Sequence, residues 1–128
     1  MILDSSAIVA IALDEPEREA FIDKINRAES VAVAGPTLVE TGIVLSSRMG
    51  TDCTALLNDL MDVADAVVIE FGAAHWESAI RAWARFGKTR HPAALDFGDC
   101  LAYATAAVAG QPLLAKGEDF AKTDIDLA

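Results

Sequence analysis

Asp4, Glu40, Asp99 and Asp119 are the residues of this sequence best placed to do chemistry together. Asp4 follows the apolar run Met1-Ile2-Leu3, and Asp119 ends the polar turn Lys116-Gly117-Glu118-Asp119 that follows Gln111-Pro112-Leu113-Leu114-Ala115. Glu40 and Asp99 each fall within the first turn of an expected helix. Carboxylates gathered without basic partners repel one another and raise each other's pKa, so a fold that keeps them together does so around a cation. Oxygen-only ligands suit Mg²⁺ or Mn²⁺ and not zinc. Such an ion can orient a phosphodiester, lower the pKa of a nearby water and stabilise charge on a leaving oxygen. Two of the acids also have simpler readings. Asp99 lies where exposed helical N–H groups favour negative charge, and Thr37 with Glu40 three residues later is a capping-box pattern.

The elements that must position these acids alternate between strand and helix. Met1-Ile2-Leu3 reads as a short buried strand, with Ser5 or Ser6 capping a helix from Ala7 to Leu13. A second helix is expected over Glu15–Ala28, with Pro16 in its first turn and Ala20, Phe21 and Ile25 on its apolar face. Ser30–Ala34 reads as the second strand, Thr37–Arg48 as a helix closed by Met49-Gly50, and Asp52–Val63 as the next helix. Ala66–Glu70 is the third strand. Ala73–Phe86 is a helix carrying Trp76, Ile80 and Trp83 on one face, the tryptophans read as core or dimer surface. Gly87–Ala94 is a polar loop. The helix carrying Asp96 and Asp99 runs to Ala109, with Gly110 as its C-cap. Within it Phe97, Cys100, Leu101, Ala104, Ala107 and Val108 recur at steps of three and four, the spacing of one buried face. Gln111–Ala115 is the fourth strand, and Thr123-Asp124-Ile125 a short edge strand. Alternation of this kind implies an α/β fold with a mainly parallel sheet between helical layers. In such a sheet ligands gather at the carboxyl ends of the strands, and all four acids could converge there.

A length of 128 residues fits one domain over 1–128, and 53% hydrophobic residues supply a core. No apolar run approaches the roughly 18 residues of a membrane span. The start of the chain lacks the pattern of a signal peptide, so cytoplasm is the expected compartment. Cys53 and Cys100 form neither metal-ligand spacing nor a disulfide framework and are expected to pack as small apolar residues. There is no nucleophile–histidine–acid set and no glycine-rich phosphate loop; His75 is read as helix surface and His91 as loop. A net charge of −10 is the wrong sign for a nucleic-acid binder. A bound cation would reverse it locally, and Arg81, Arg85, Lys88, Arg90 and His91 form one local basic cluster.

Four segments in this order resemble one family. Met1–Ile11, Thr37-Leu38-Val39-Glu40-Thr41, Leu95-Asp96-Phe97-Gly98-Asp99-Cys100-Leu101-Ala102-Tyr103-Ala104 and Leu113–Ile125 are similar to the motifs of PIN-domain ribonucleases of the VapC type, the toxins of bacterial toxin–antitoxin pairs. The resemblance implies a three-layer α/β/α sandwich, cleavage of single-stranded or structured RNA with Mg²⁺ (Mn²⁺ substituting), a VapB-type antitoxin that inserts a C-terminal segment, and a homodimer. It assigns the acidic site, catalytic and metal-holding, to Asp4, Glu40, Asp99 and Asp119, with Ser6 and Thr123 as polar neighbours. Asp96 stands where the family often has Asn, and no catalytic role is assigned to it. Arg81, Arg85, Lys88, Arg90 and Lys116 are candidate RNA guides. Two other readings stay open on the residues alone. One is a catalytically silent binding module. The other is a phosphoacceptor receiver-like domain, for which Lys116 is suitable but Glu70, after the third strand, is not the required Asp.

Overall fold

The computed structural model describes residues 1–128. Four parallel strands form one sheet in the order β3-β2-β1-β4. They are β1 (Ile2–Leu3), β2 (Val31–Ala34), β3 (Ala66–Ile69) and β4 (Leu113–Leu114). Six helices connect them: α1 (Ser5–Ala12), α2 (Arg18–Arg27), α3 (Gly35–Met49), α4 (Thr54–Val63), α5 (Ala73–Phe86) and α6 (Phe97–Ala109). A 3-10 turn, Phe120–Lys122, follows β4. No helix is long and apolar enough to cross a membrane.

The period-two alternation of strand side chains divides the core into two layers. Leu3, Val31, Val33 and Leu114 face α1, α2 and α4, packing with Ala7, Ile8, Phe21, Leu57 and Met61. Ile2, Ala32 and Leu113, which share one register, face α5 and α6, packing with Phe86, Cys100, Tyr103 and Ala106. The result is the expected three-layer α/β/α arrangement. Both cysteines are buried and unpaired, as expected.

Helix α6 departs from the expected single buried stripe. Every residue from Cys100 through Ala106 is buried, while Phe97, Ala107 and Val108 are exposed. The cause is its position, covered by the sheet and by its neighbours α3 and α5, which only a helix rich in alanine can occupy. Thr105 tolerates this because its hydroxyl donates to the Leu101 carbonyl at 2.8 Å. Trp76, Ile80 and Trp83 share the face expected of them, but they are 52%, 60% and 43% exposed and do not belong to the core.

Several boundaries move for identifiable reasons. α2 starts at Arg18, three residues after the expected Glu15, because Asp14 adopts a left-handed φ of 56° and Glu15 donates its N–H back to Ala10. Ala20 is exposed, leaving Phe21 as the buried anchor of that helix. The edge pairing at the C-terminal end lies beyond Thr123-Asp124-Ile125. There Leu127 forms a single parallel bridge to Leu113, with Leu113 donating to Asp126 and Ala128 donating to Leu113.

Candidate active site

Asp4 is fixed by the sheet itself. Its N–H donates to the Leu114 carbonyl at 2.9 Å, holding it at the carboxyl end of the two adjacent strands β1 and β4. Its side chain caps α1: Oδ2 accepts the Ser6 N–H at 3.0 Å and also the Ser6 hydroxyl. The cap is therefore Asp4, where Ser5 or Ser6 was expected. A carboxylate is as good an acceptor for helical N–H groups and carries the favourable charge. Ser6 Oγ in turn accepts the Lys116 N–H at 2.9 Å, tying the ends of β1 and β4 together. Burial pushes the Asp4 carboxyl above the usual range; its hydrogen bonds to Ser6 and Ser5 oppose this, and the Asp96 charge adds to it.

Glu40 reaches the same place from α3. That helix begins directly after β2, at Gly35, with Ala34 as N-cap and Pro36 in the first turn. Thr37 is thus inside the helix and fully buried, so the expected capping box does not form. Its carboxylate lies against Gly98 at the start of α6. A Cβ on Gly98 would stand 2.5 Å from Glu40 Oε1 and 2.6 Å from Oε2. Glu40 Oε2 is buried and has no hydrogen-bond partner. Burial, then the charge of Asp4, raises the Glu40 pKa; a bond with the Ser5 side chain lowers it, and Asp96 adds a smaller push upward.

Asp99 is held by a reciprocal cap. Asp96 N–H donates to Asp99 Oδ2 at 2.9 Å, and Asp99 N–H donates to Asp96 Oδ1 at 3.0 Å. This satisfies two free donors of the first turn of α6. Burial is the largest influence on Asp99 and, with the charges of Asp96 and Asp4, pushes its pKa up to about 7. No basic side chain contributes to the shifts of Asp4, Glu40 or Asp99.

The fourth expected acid stands apart. Asp119 is exposed, precedes the 3-10 turn and pairs with Lys122 at 3.6 Å. The structure thus draws Asp4, Glu40 and Asp99 together, includes Asp96 and leaves Asp119 outside. Thr123 serves the C-terminal segment, donating to Phe120 at 2.7 Å and accepting from Ile125 at 3.2 Å. In this conformation no three acidic, histidine or cysteine side chains close to metal-ligand spacing. The chemistry of the donors nevertheless fits a hard divalent cation. All are carboxylates, none has a basic counter-ion, and Glu40 Oε2 is buried without a donor.

The basic candidates are mostly engaged elsewhere. Lys116 Nζ bridges Glu15 at 2.7 Å and Glu17 at 3.1 Å. Arg81 pairs with Glu77 at 3.7 Å, and Arg90 stacks on Trp83 at 4.2 Å from the ring centroid. Lys88 is exposed. Arg85 joins a network that sequence reasoning missed: its guanidinium lies 2.9 Å from Asp124, which accepts the Tyr103 hydroxyl at 2.5 Å. The signal was only a buried-face tyrosine in α6, whose polar tip needs a partner. His75 and His91 are spent on local structure, their Nδ1 atoms accepting the N–H groups of Gly72 and Ala93 at 3.1 Å each. Burial pushes the Cys100 thiol up to about 11, which removes it as a thiolate nucleophile.

These shifts set a stability profile. Asp4, Glu40 and Asp99 hold their protons more tightly folded than unfolded, so stability falls as pH rises through the interval from about 4 to 7. Asp124, whose pKa is lowered by the Tyr103 hydroxyl, acts oppositely below about pH 4. The Met1 amino group, its pKa lowered by burial, also acts oppositely just below pH 8, but the three carboxyls outweigh this one group, and the metal-free protein should melt on the order of 5 °C higher at pH 5.5 than at pH 8. Thermal melts across this range in EDTA measure it; a profile rising toward pH 8 contradicts the electrostatics described here.

Comparison with known proteins finds chains of similar sequence and of similar fold. The family model described as "PIN domain" matches residues 1–126. The chain is 41% identical over 127 residues to "VapC ribonuclease Mb2004c" of Mycobacterium bovis, covering 98% of this chain and 91% of that protein. It is 38% identical over 125 residues to "Ribonuclease VapC" of Mycolicibacterium smegmatis, covering 98% and 97%. Among solved structures, its fold is similar to that of Mycobacterium tuberculosis VapC20, described as a sarcin-ricin loop cleaving toxin. The TM-score is 0.79 at 17% identity, covering 99% of this chain and 97% of the other. A toxin–antitoxin complex from Klebsiella pneumoniae matches with a TM-score of 0.72 at 14% identity, covering 99% and 95%.

Proposed function

This chain belongs to the PIN-domain family, and from that premise we propose that it is a VapC-type toxin, a divalent-metal-dependent ribonuclease acting at the rim formed by Asp4, Glu40 and Asp99. The observation that carries the reading is the meeting of three carboxylates from separate elements, with raised proton affinity and no basic partner. The relatives at 41% and 38% identity are named ribonucleases, which supports RNA as the substrate class.

In this reading Asp4, Asp99 and Glu40 hold Mg²⁺ or Mn²⁺. When bound, such a cation offsets the negative charge of the phosphodiester and makes an adjacent water more acidic. Asp4 supplies the fixed anchor, since both its backbone and its carboxylate are tied down. Asp99 is held by Asp96 in one orientation. Glu40 Oε2, lacking a donor, is the atom available to orient the attacking water and take its proton. Asp119 joins this set only if the segment after β4 moves. A VapB-type antitoxin and a second copy of the chain are the proposed protein partners, and cytoplasm the proposed compartment. A toxin–antitoxin complex among the structures of similar fold supports the first partner.

Metal removal tests the activity. Purified protein should cut total cellular RNA into discrete fragments with Mg²⁺ or Mn²⁺, stop in EDTA, and resume when Mg²⁺ is restored. Cleavage unaffected by EDTA would contradict the metal dependence.

A further inference from the structure

Asp96 carries a charge that its structural task does not need. The cap on α6 uses one acceptor atom, Asp96 Oδ1, which takes the Asp99 N–H at 3.0 Å. The return bond uses the Asp96 backbone N–H and Asp99 Oδ2 at 2.9 Å. An asparagine oxygen would cap as well, since Asn and Asp are equivalent at this position. Asp96 is exposed, its second oxygen Oδ2 accepts no N–H group of the protein, and no basic side chain pairs with it. Asp99 already supplies negative charge to the first turn of α6, so the helix dipole gains little from another carboxylate. Against this small gain stands repulsion. The reciprocal cap sets the Asp96 carboxylate directly beside that of Asp99, where like charges repel. A like charge that the cap does not require, set beside this rim, is offset when a cation sits there.

We propose that Asp96 is an affinity-setting residue: its surplus carboxylate charge strengthens the hold of the Asp4–Glu40–Asp99 rim on a divalent cation. This rests on the metal-dependent reading of the rim given above. A neutral residue at 96 leaves the three carboxylates and the cap in place but removes one unit of attraction. Over a few ångströms of partly wet protein, that unit is worth about tenfold in cation affinity.

The test is Mn²⁺ binding alone, without RNA, by isothermal titration calorimetry at pH 8 on wild type, Asp96→Asn, Asp96→Ser and Asp99→Asn, with melting temperatures in EDTA. Asp96→Asn should weaken Mn²⁺ binding about tenfold, while a melting temperature in EDTA no lower than that of wild type shows the cap intact. Asp96→Ser, also a competent neutral cap, guards against an effect peculiar to asparagine and should behave alike. Mn²⁺ affinity within twofold of wild type in both variants overturns the proposal. If wild type binds no Mn²⁺, or Asp99→Asn binds it as well as wild type does, the metal reading of the rim itself fails and takes this proposal with it.

Discussion

Asp99→Asn and Asp4→Asn should each lower RNA cleavage by at least about 10³-fold while the fold persists or gains stability. In Asp99→Asn the new side-chain oxygen can still accept the Asp96 N–H, so the reciprocal cap of α6 survives. In Asp4→Asn the oxygen can still accept the Ser6 N–H. What each variant loses is one negative charge from a crowded, half-dry rim. Because Asp99 is pushed up to about 7 by burial and by Asp96 and Asp4, its ionised form is a burden on the metal-free protein at pH 8. The asparagine variant should therefore melt higher than wild type in EDTA and show a flatter dependence on pH. Circular dichroism melts beside an RNA cleavage assay separate these outcomes. Lost cleavage with a lower melting temperature would point to a damaged fold, and retained cleavage in both variants would remove the rim from catalysis.

Gly98→Ala should also disable the enzyme, and by a route that does not touch a charge. A Cβ at 98 would stand 2.5–2.7 Å from the Glu40 carboxylate atoms, closer than packing allows. The backbone there is helical and needs no glycine conformation, since Gly98 is not among the positive-φ residues. The flexible end of Glu40 is what must give way. Alanine is intrinsically the better helix former by about 1 kcal/mol, and moving Glu40 away from Asp4 relieves repulsion. Stability should hold or rise slightly while cleavage falls about a hundredfold, the scale expected when a catalytic group is misplaced by about an ångström. The double variant Gly98→Ala with Glu40→Ala should be no worse than Glu40→Ala alone. If the two losses multiply, Gly98 acts through something other than Glu40.

Much of this site was legible in the sequence because it follows from strand ends. Asp4 directly follows a short apolar run, and a polar residue there lands on the sheet rim whatever the details of the turn. Asp99 was legible from its place in the first turn of a helix with an apolar face. Glu40 was harder. The Thr37–Glu40 spacing matches a capping box, and only the entry of the chain into α3 at Gly35 shows that Thr37 is interior and Glu40 free. Asp119 looked equivalent to Asp4, each following a strand, but the irregular segment after β4 leaves it exposed beside Lys122. Nothing in local spacing distinguishes the two. The contact between Glu40 and Gly98, and the Arg85–Asp124–Tyr103 network, depend on how α3, α5, α6 and the C-terminal segment meet. Residues 40 and 98, or 85 and 124, are brought together by tertiary packing, which periodicity within a helix does not encode.

The most direct measurement is Mn²⁺ titration of ¹⁵N-labelled protein, following which backbone amides broaden first. The expected result is broadening that begins at Asp4–Ser6, Glu40 and Asp96–Cys100, spares the exposed acids Asp14, Glu19, Asp59 and Asp62, and is shifted to higher Mn²⁺ concentration in Asp99→Asn. Broadening that begins at those exposed acids, or that is unchanged in Asp99→Asn, would contradict the assignment of the rim as the metal-holding active site.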